Sequence, residues 1–208
     1  MRTIKHWTPR YIGDRLRVLA YERKHPDAPW LTGSMVSILE SWLRSSDVGL
    51  EWGSGRSTIW LAKRIKHLVS VEHDKSWHEK VVHELNKQAL SNVDYKLCPN
   101  EADYVSVVKN LPSESLDFCL VDGQYRDECA NAAIPKIRTG GILVIDNCNW
   151  YLPSTSRSPN SRPLRERKST EEWSLFLDLT KNWRCIWTTS GVTDSGLWLK
   201  PLDTTVNQ

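Results

Sequence analysis

The sequence has few of the features that would settle its function class directly. Among its 208 residues there are two Phe and two Met, and no apolar run approaches the length of a membrane span. Lys and Arg number 28 against 25 Asp and Glu, and the resulting net charge of +3 is too weak to require a nucleic-acid partner. A local basic patch is compatible with this charge, so nucleic acid is not excluded.

The sequence also lacks paired cysteines and targeting segments. Its cysteines are odd in number, widely spaced and without a C-x-x-C pair: Cys98, Cys119, Cys129, Cys148 and Cys185. This pattern favours neither a disulfide framework nor a zinc site, and free cysteines are typical of the reducing cytosol. Residues 1–10 are basic but are not followed by the apolar stretch of a secretory signal. We therefore expect a cytoplasmic protein that does not associate with membranes.

What the sequence does have is an alternation of short apolar strands and amphipathic helices. The predicted strands cover residues 48–51, 68–71, 93–97, 116–121 and 142–145. The predicted helices between them cover residues 58–65, 75–90, 104–111 and 128–137, and Gly140-Gly141 is expected to end the last one. Strands that are apolar along their whole length predict a parallel sheet with helices on both faces.

The flanking segments differ in character. Helices are predicted over residues 11–24 and 35–43, the second with Ser34 as its cap. Residues 152–170 are rich in Ser, Pro and Arg and predict a long loop. After a helix over 171–179, strands at 185–189 and 197–199 predict a terminal hairpin that adds an antiparallel edge to the sheet.

Acidic residues follow four of the predicted strands. They are Glu51, Glu72, Asp122 and Asp146, the last followed by Asn147. Ligands of open parallel sheets bind outside the carboxyl ends of the strands, so we expect these side chains to meet in one crevice. The preference of Asp and Asn for turns after strands accounts by itself for one or two of them.

The segment after the first strand is glycine-rich. It reads Glu51-Trp52-Gly53-Ser54-Gly55-Arg56-Ser57-Thr58, and we call it the glycine loop. Thr58 stands where a dinucleotide fingerprint has its third Gly, and no P-loop Lys follows, so the loop favours a nucleoside-like ligand without a pyrophosphate. Glu72 lies about 20 residues further on, at the spacing of a carboxylate that binds ribose hydroxyls. A surface glutamate is the alternative.

In order and spacing, these motifs resemble the class I S-adenosylmethionine-dependent methyltransferase superfamily. The E/D-x-G-x-G motif matches residues 51–55, the ribose-binding acid matches Glu72, and the fourth-strand motif matches Leu120-Val-Asp122-Gly123. The family's Gly-Gly turn before strand five matches Gly140-Gly141. The match covers most of residues 34–151, and the terminal hairpin fits the family's sixth and seventh strands.

The resemblance implies a Rossmann-like α/β fold with a mostly parallel seven-stranded sheet and S-adenosylmethionine as cofactor. It implies a methyltransferase domain over residues 34–208, preceded by an extension, residues 1–33, that packs on or near the cofactor site. The implied cofactor contacts are Glu51, Trp52, Gly53, Ser54, Gly55, Ser57, Glu72, Asn100, Glu101 and Asp122. Asn100 and Glu101 are two candidates for the adenine contact, and the sequence does not decide between them.

Three roles are open for Asp122: general base, orienting residue or metal ligand. Together with Asp146-Asn147 it resembles the catechol-type O-methyltransferases, in which such residues hold Mg²⁺. The departure is that the catalytic Lys expected three residues after the first Asp is Tyr125 here, followed by Arg126. We take Asp122, Asp146 and Arg126 as the catalytic candidates, and Asp122, Asp146 and Asn147 as the candidate magnesium ligands.

The acceptor is expected on the side of the long loop. That loop carries Arg157, Arg162, Arg165, Arg167 and Lys168, and it is either a lid that clamps an anionic substrate or a solvated loop. Trp30, Trp150 and Tyr151 are candidates to stack on the ligands or to pack in the core. The expected function is methylation of an O or N atom of a small-molecule acceptor, in a chain that is compatible with a homo-oligomer. The rivals are an inactive methyltransferase-like binding module and a nicotinamide-dependent oxidoreductase.

Overall fold

The predicted alternation of strands and helices folds into one seven-stranded sheet. The computed structural model describes residues 7–166 and 170–202. The strands of the sheet are β1 (Val48–Trp52), β2 (His67–Glu72), β3 (Val93–Leu97), β4 (Leu116–Val121), β5 (Ile137–Asp146), β8 (Arg184–Thr189) and β9 (Asp194–Leu199), with a separate pair formed by β6 (Pro153–Ser154) and β7 (Arg162–Pro163). The order in the sheet is β3-β2-β1-β4-β5-β9-β8. Strands β1 to β5 are parallel and β9 is antiparallel to both of its neighbours, which confirms the predicted fold class.

Helices cover both faces of this sheet. They are α1 (Pro9–Lys24), α2 (Gly33–Trp42), α3 (Arg56–Ala62), α4 (Lys75–Lys87), α5 (Glu101–Ser106), α6 (Arg126–Ala133) and α7 (Glu171–Leu179). None of the helices in the described ranges is long and apolar enough to cross a membrane.

The strand side chains alternate between two buried cores. In β5, Leu143 and Ile145 belong to the core that α5, α6 and α7 cover, whereas Ile142 and Val144 belong to the core under α2 and α3. Because successive side chains of a strand point to opposite faces, a strand that is apolar at every position fills both cores. This is the physical reason why continuous apolar runs, rather than alternating ones, form this sheet.

Two local predictions were wrong. The sixth helix ends at Ala133, and Gly140-Gly141 lies inside β5 instead of ending a helix. The pairing of β5 with β4 shifts register between Leu116 and Phe118, and Gly140 has a φ of +79°. The glycines therefore serve an irregularity within a strand. The cap of α2 is also not Ser34 but Thr32, whose hydroxyl accepts the Met35 N–H at 3.2 Å.

The long loop after β5 has little regular structure, as the sequence predicts. Its described part holds only the two-residue pair of β6 and β7. Side chains nevertheless fix its course, because the Asn149 amide donates to the Pro159 carbonyl at 3.2 Å and to the Ser161 hydroxyl at 2.9 Å. Arg167 and Lys168, which we counted among the basic residues of this loop, lie outside the described residues.

Candidate functional site at the carboxyl edge of the sheet

Four acidic residues stand at the carboxyl ends of four neighbouring strands. Glu72, Glu51 and Asp146 end or lie near the end of β2, β1 and β5, and Asp122 directly follows β4. These strands are adjacent in the sheet, so the carboxylates occupy one edge as the sequence predicts. Glu51, Glu72 and Asp146 are buried, and Asp122 is partly exposed.

The backbones of the glycine loop and of the turn after β4 touch each other. Gly53 has a φ of +89°, and a Cβ added to it would lie 2.6 Å from the Gly123 nitrogen. A Cβ on Gly123 would in turn collide with the Tyr104 hydroxyl. Both positions therefore require glycine, one for its backbone conformation and both for the close approach of the two loops.

Glu51 has a carboxylate oxygen without a partner. Its Oε2 accepts the hydroxyl protons of Thr58 at 2.6 Å and Ser70 at 2.7 Å, whereas Oε1 is buried and has no hydrogen-bond partner in the described part of the chain. Burial raises the pKa of Glu51 to about 7, against the effect of its hydroxyl donors. A buried acceptor of this kind is rare in folded proteins and fits a ligand donor such as an amine.

Glu72, in contrast, is fully hydrogen-bonded within the chain. Its Oε1 accepts the backbone N–H groups of His73 and Asp74 at 2.8 and 2.9 Å. Its Oε2 accepts the Ser54 hydroxyl at 2.7 Å and the Ser54 N–H at 3.2 Å. The alternative of a surface glutamate is excluded, because Glu72 is buried. Each Glu72 oxygen thus already accepts two hydrogen bonds from the chain itself.

The remaining predicted contacts of the glycine loop have mixed environments. Trp52 is fully buried and its indole N–H donates to the Tyr104 carbonyl at 2.8 Å, so its ring belongs to the core. Ser57 is buried in the first turn of α3, near Glu51. The Gly55 N–H donates to the Thr58 hydroxyl at 2.9 Å, so this N–H already has a hydrogen-bond partner within the chain.

Asn100 and Glu101 lie just after β3 at the same edge. The Asn100 side chain caps α5, accepting the Asp103 N–H at 2.9 Å and donating to the Asp103 carboxylate at 2.7 Å. Glu101 is exposed and lies in the first turn of α5. These contacts do not decide which of the two residues meets adenine.

Aromatic residues that the motif search missed surround the glycine loop. The buried Tyr104 ring lies edge-on to His73 and to Tyr125, with both ring centroids 6.1 Å away. The Trp77 indole donates to the Ser54 carbonyl at 2.8 Å. The one sequence signal for these residues was their position in the first helical turns after β2 and β3, where side chains return toward the strand ends.

Arg126 forms hydrogen bonds with groups at the end of β4 and at the end of β5. Its Nε donates to the Gly123 carbonyl at 2.9 Å, and its Nη2 donates to the Asp122 carbonyl at 2.8 Å and to Asp122 Oδ1 at 3.0 Å. Its Nη1 donates to Asn147 Oδ1 at 3.1 Å and to the Asp146 carbonyl. A guanidinium has five N–H donors, so all of them are used inside the protein.

Asp122, Asp146 and Asn147 do not fit a magnesium site. Asp122 and Asn147 each accept a hydrogen bond from the Arg126 guanidinium, so a positive charge already lies where the metal ion would bind. Asp146 Oδ1 accepts the Ser195 hydroxyl at 2.6 Å instead. Across residues 7–166 and 170–202, no group of three or more His, Cys, Asp or Glu side chains could hold a metal ion. The magnesium prediction is therefore not supported.

Burial changes the proton affinity of both aspartates. It raises the pKa of Asp122, although the Arg126 charge and hydrogen bond act in the opposite direction. Burial also raises the pKa of Asp146, with a further contribution from the nearby Asp122 charge. Two carboxyl groups that share a poorly solvated edge do not both ionise easily, so Arg126 is needed to keep Asp122 charged.

The three aromatic candidates for ligand stacking have different surroundings. Trp30 is 56% exposed, and the Arg56 guanidinium carbon lies 5.1 Å from its ring centroid, beside the glycine loop. Trp150 is exposed. Tyr151 stacks on Trp173 with a centroid distance of 5.4 Å, so it packs against the core that α7 covers.

Comparisons with known proteins agree with this geometry. A family model described as a methyltransferase domain matches residues 50–148, a range that contains the glycine loop, Glu72, Asp122 and Asp146. No curated protein matches the sequence.

Solved structures share the fold at low sequence identity. A structural-genomics protein from Corynebacterium glutamicum is 12% identical with a TM-score of 0.60, and the match covers 93% of this chain and 92% of that one. A SAM-dependent methyltransferase from Aquifex aeolicus is 16% identical with a TM-score of 0.50, covering 78% and 87%. An rRNA methylase from Streptococcus thermophilus is 11% identical with a TM-score of 0.53, covering 80% and 93%.

Proposed function

We propose that this chain is a class I S-adenosylmethionine-dependent methyltransferase and transfers a methyl group to an O or N atom of a small-molecule acceptor. The observation that carries the proposal is the unpartnered Glu51 Oε1 beside the Gly53–Gly123 junction. A buried acceptor next to a stretch of bare backbone suits the amino-acid end of the cofactor.

Different residues at this edge contact different parts of the cofactor. Glu51 offers its free oxygen to an ammonium group, and Glu72 is placed to accept ribose hydroxyls once Ser54 moves aside. Asn100 and Glu101 stand at the end of β3, where the adenine would lie. When bound, S-adenosylmethionine supplies an electrophilic methyl group on a sulfonium.

Asp122 is the residue that we propose to act on the substrates. Its carboxylate is partly exposed at the end of β4, and Arg126 fixes one of its oxygens at 3.0 Å. The other oxygen is available to orient an acceptor or to take its proton as the methyl group arrives. Arg126 and Asp146 then serve as positioning residues, because their polar groups are engaged within the protein.

Two rival functions make different demands on the same site. A dinucleotide needs the third Gly of its fingerprint, but Thr58 stands there with its hydroxyl bonded to Glu51 and Gly55. The Ser54 hydroxyl on Glu72 favours the second rival, a methyltransferase-like module without turnover. Methylation of RNA stays an alternative to a small acceptor, since one protein of the same fold is named as an rRNA methylase.

Calorimetric titration of the full chain with S-adenosylhomocysteine tests the proposal. Glu72→Ala should weaken binding by roughly 1–3 kcal/mol, the cost of leaving buried polar partners unpaired. Glu79→Ala, an exposed glutamate on α4, is the matched control and should bind as the unmodified protein does. Absence of binding to both S-adenosylhomocysteine and S-adenosylmethionine by a folded chain would refute the proposal. Binding without any methyl incorporation would favour the inactive module.

A further inference from the structure

One cavity formed by the described residues lies apart from the glycine loop. It has a volume of about 960 Å³ and lies between α1, residues 153–159 of the long loop, and the turn that joins β8 to β9. This volume is at the upper end of the range of small-molecule pockets. Neither the glycine loop nor the acidic residues Glu72, Asp122 and Asp146 line it.

Hydrogen bonds connect this cavity to Asp122. Ser190 lines the cavity, and its hydroxyl accepts the Thr193 N–H at 3.1 Å. The Thr193 hydroxyl accepts the Asn147 amide at 2.6 Å, and Asn147 in turn accepts from Arg126. Since Arg126 fixes Asp122, the cavity wall and the proposed methyl-transfer residue belong to one bonded network at the carboxyl edge.

Close contacts on two sides fix the walls of the cavity. Gly191 has a φ of +77°, and a Cβ added there would collide with the Asp14 carboxylate, so α1 lies directly on the β8–β9 turn. On the other side, the buried Asp194 accepts the Ser158 hydroxyl at 2.6 Å and the Trp187 indole N–H at 2.7 Å. These bonds hold the long loop against β8 and β9.

The charges that line the cavity are mostly positive. Three arginines, Arg10, Arg17 and Arg157, face one acidic residue, Asp14. Arg17 donates to Asp14 at 2.8 Å and Arg10 lies 3.8 Å from it, so these two share a single counter-ion. Arg157 is exposed to the cavity and forms no ion pair with any described residue. Hydroxyl groups of the long loop complete a polar, cationic lining.

We propose that this cavity binds the anionic end of the methyl acceptor, a small molecule whose phosphate or carboxylate group is held by Arg157. Arg10 and Arg17 reinforce the site electrostatically, and guanidinium groups bind both kinds of oxyanion through paired N–H donors. The inference rests on the proposed function. A small molecule is favoured over RNA because the charge lies inside one concavity and the chain carries a net charge of only +3.

The inference separates the arginines of the long loop. Arg157 lines the cavity, whereas Arg162 donates its Nε–H to the Trp150 carbonyl at 3.0 Å. Arg165 is exposed on the same loop and lies outside the cavity lining. Arg157→Ala and Arg165→Ala thus each remove one positive charge from the same loop. Only Arg157→Ala removes a charge that lines the cavity.

Titration of the full chain with inorganic pyrophosphate and with citrate tests the inference. At least one probe should bind, and Arg157→Ala should weaken it about tenfold or more, as expected for the loss of a charge-assisted contact. Arg165→Ala should stay within about twofold of the unmodified chain, and the preferred probe distinguishes a phosphate site from a carboxylate site. Absence of binding by both probes, or equal weakening by the two variants, would overturn the inference.

Two further titrations separate this inference from the proposed function. Chains that bind S-adenosylhomocysteine but neither anion would retain the proposed function and lose the acceptor site. Chains that bind an anion through Arg157 but not S-adenosylhomocysteine would give the opposite result. A 20-nucleotide oligouridylate that binds more tightly than either anion, and that both arginine variants weaken equally, would replace the small acceptor with an RNA surface.

Discussion

The two halves of the carboxyl edge are built in different ways. On the side of β1, β2 and β3, the chain's own groups fill the crevice: Ser54 lies on Glu72, and Tyr104 lies under Gly123. On the side of β8 and β9, the long loop, α1 and the turn between these two strands border an open cavity of about 960 Å³. The first half is closed by the chain's own groups, whereas the second depends on contacts between α1, the long loop and the β8–β9 turn.

This difference agrees with the two ligands proposed above. The half around the glycine loop offers backbone and buried carboxylates, to which we assign the cofactor. The half around the long loop offers arginine and hydroxyl side chains, to which we assign the acceptor. Arg126 joins the halves, since it bonds groups that follow β4 and groups that follow β5.

Replacing a glycine with alanine should destabilise the fold more in the first half of the carboxyl edge than in the second. Gly53→Ala places a Cβ against the Gly123 backbone at a φ of +89°, and we expect a loss of about 3 kcal/mol in the free energy of unfolding. Gly191→Ala should cost about 1–2 kcal/mol, because its Cβ meets the Asp14 side chain, which can rotate away. Urea denaturation measures both values.

Gly13→Ala is the control for these two variants. Gly13 lies inside α1 and nothing lies within 4 Å of its added Cβ, so alanine should stabilise the chain by about 0.5–1 kcal/mol. If Gly191→Ala cost as much as Gly53→Ala, the turn between β8 and β9 would be as rigid as the glycine loop, and the contrast between the halves would fail.

How far the sequence predicts each half follows from the range of the contacts. The glycine loop, Glu72 and Asp122 could be placed because each follows an apolar strand directly, and the sheet then aligns the strand ends. The cavity could not be predicted, since α1 and the long loop both line it, and no local sequence pattern relates these two segments. The magnesium prediction is unsupported for the same reason: nothing in the spacing showed that Arg126 would donate to Asp122 Oδ1 and to Asn147 Oδ1, two of the candidate ligand oxygens.

The buried Glu51 should make stability depend on pH. Burial raises its pKa to about 7 in the folded chain, from an ordinary value of 4.5. The folded state therefore favours the protonated carboxyl, so the contribution of Glu51 to stability is highest below pH 4.5 and is lost as the pH rises to about 7. Full ionisation corresponds to roughly 3 kcal/mol.

Glu51→Gln tests this dependence because it removes the ionisation and keeps the shape. Between pH 5 and pH 8, the free energy of unfolding of Glu51→Gln relative to the unmodified chain should rise by about 2–3 kcal/mol. Glu79→Gln, at an exposed position, should show no such change. Parallel pH profiles for Glu51→Gln and the unmodified chain would mean that Glu51 stays ionised in the folded state.

The smallest expected effect concerns the Ser54 hydroxyl, which occupies the oxygen of Glu72 that we assign to the ribose. The Ser54 hydroxyl donates to Glu72 Oε2 at 2.7 Å and shares a 2.6 Å hydrogen bond with the Tyr95 hydroxyl. A ribose diol has to replace this hydroxyl, so Ser54→Ala should free one acceptor site and strengthen S-adenosylhomocysteine binding by about 1 kcal/mol, or roughly fivefold. Ser115→Ala, which removes an exposed hydroxyl bonded to the Pro112 carbonyl, should leave binding unchanged. Weaker binding by Ser54→Ala would show that the hydroxyl contacts the cofactor and does not compete with it, and the cofactor half would then be ready for its ligand rather than closed by the chain itself.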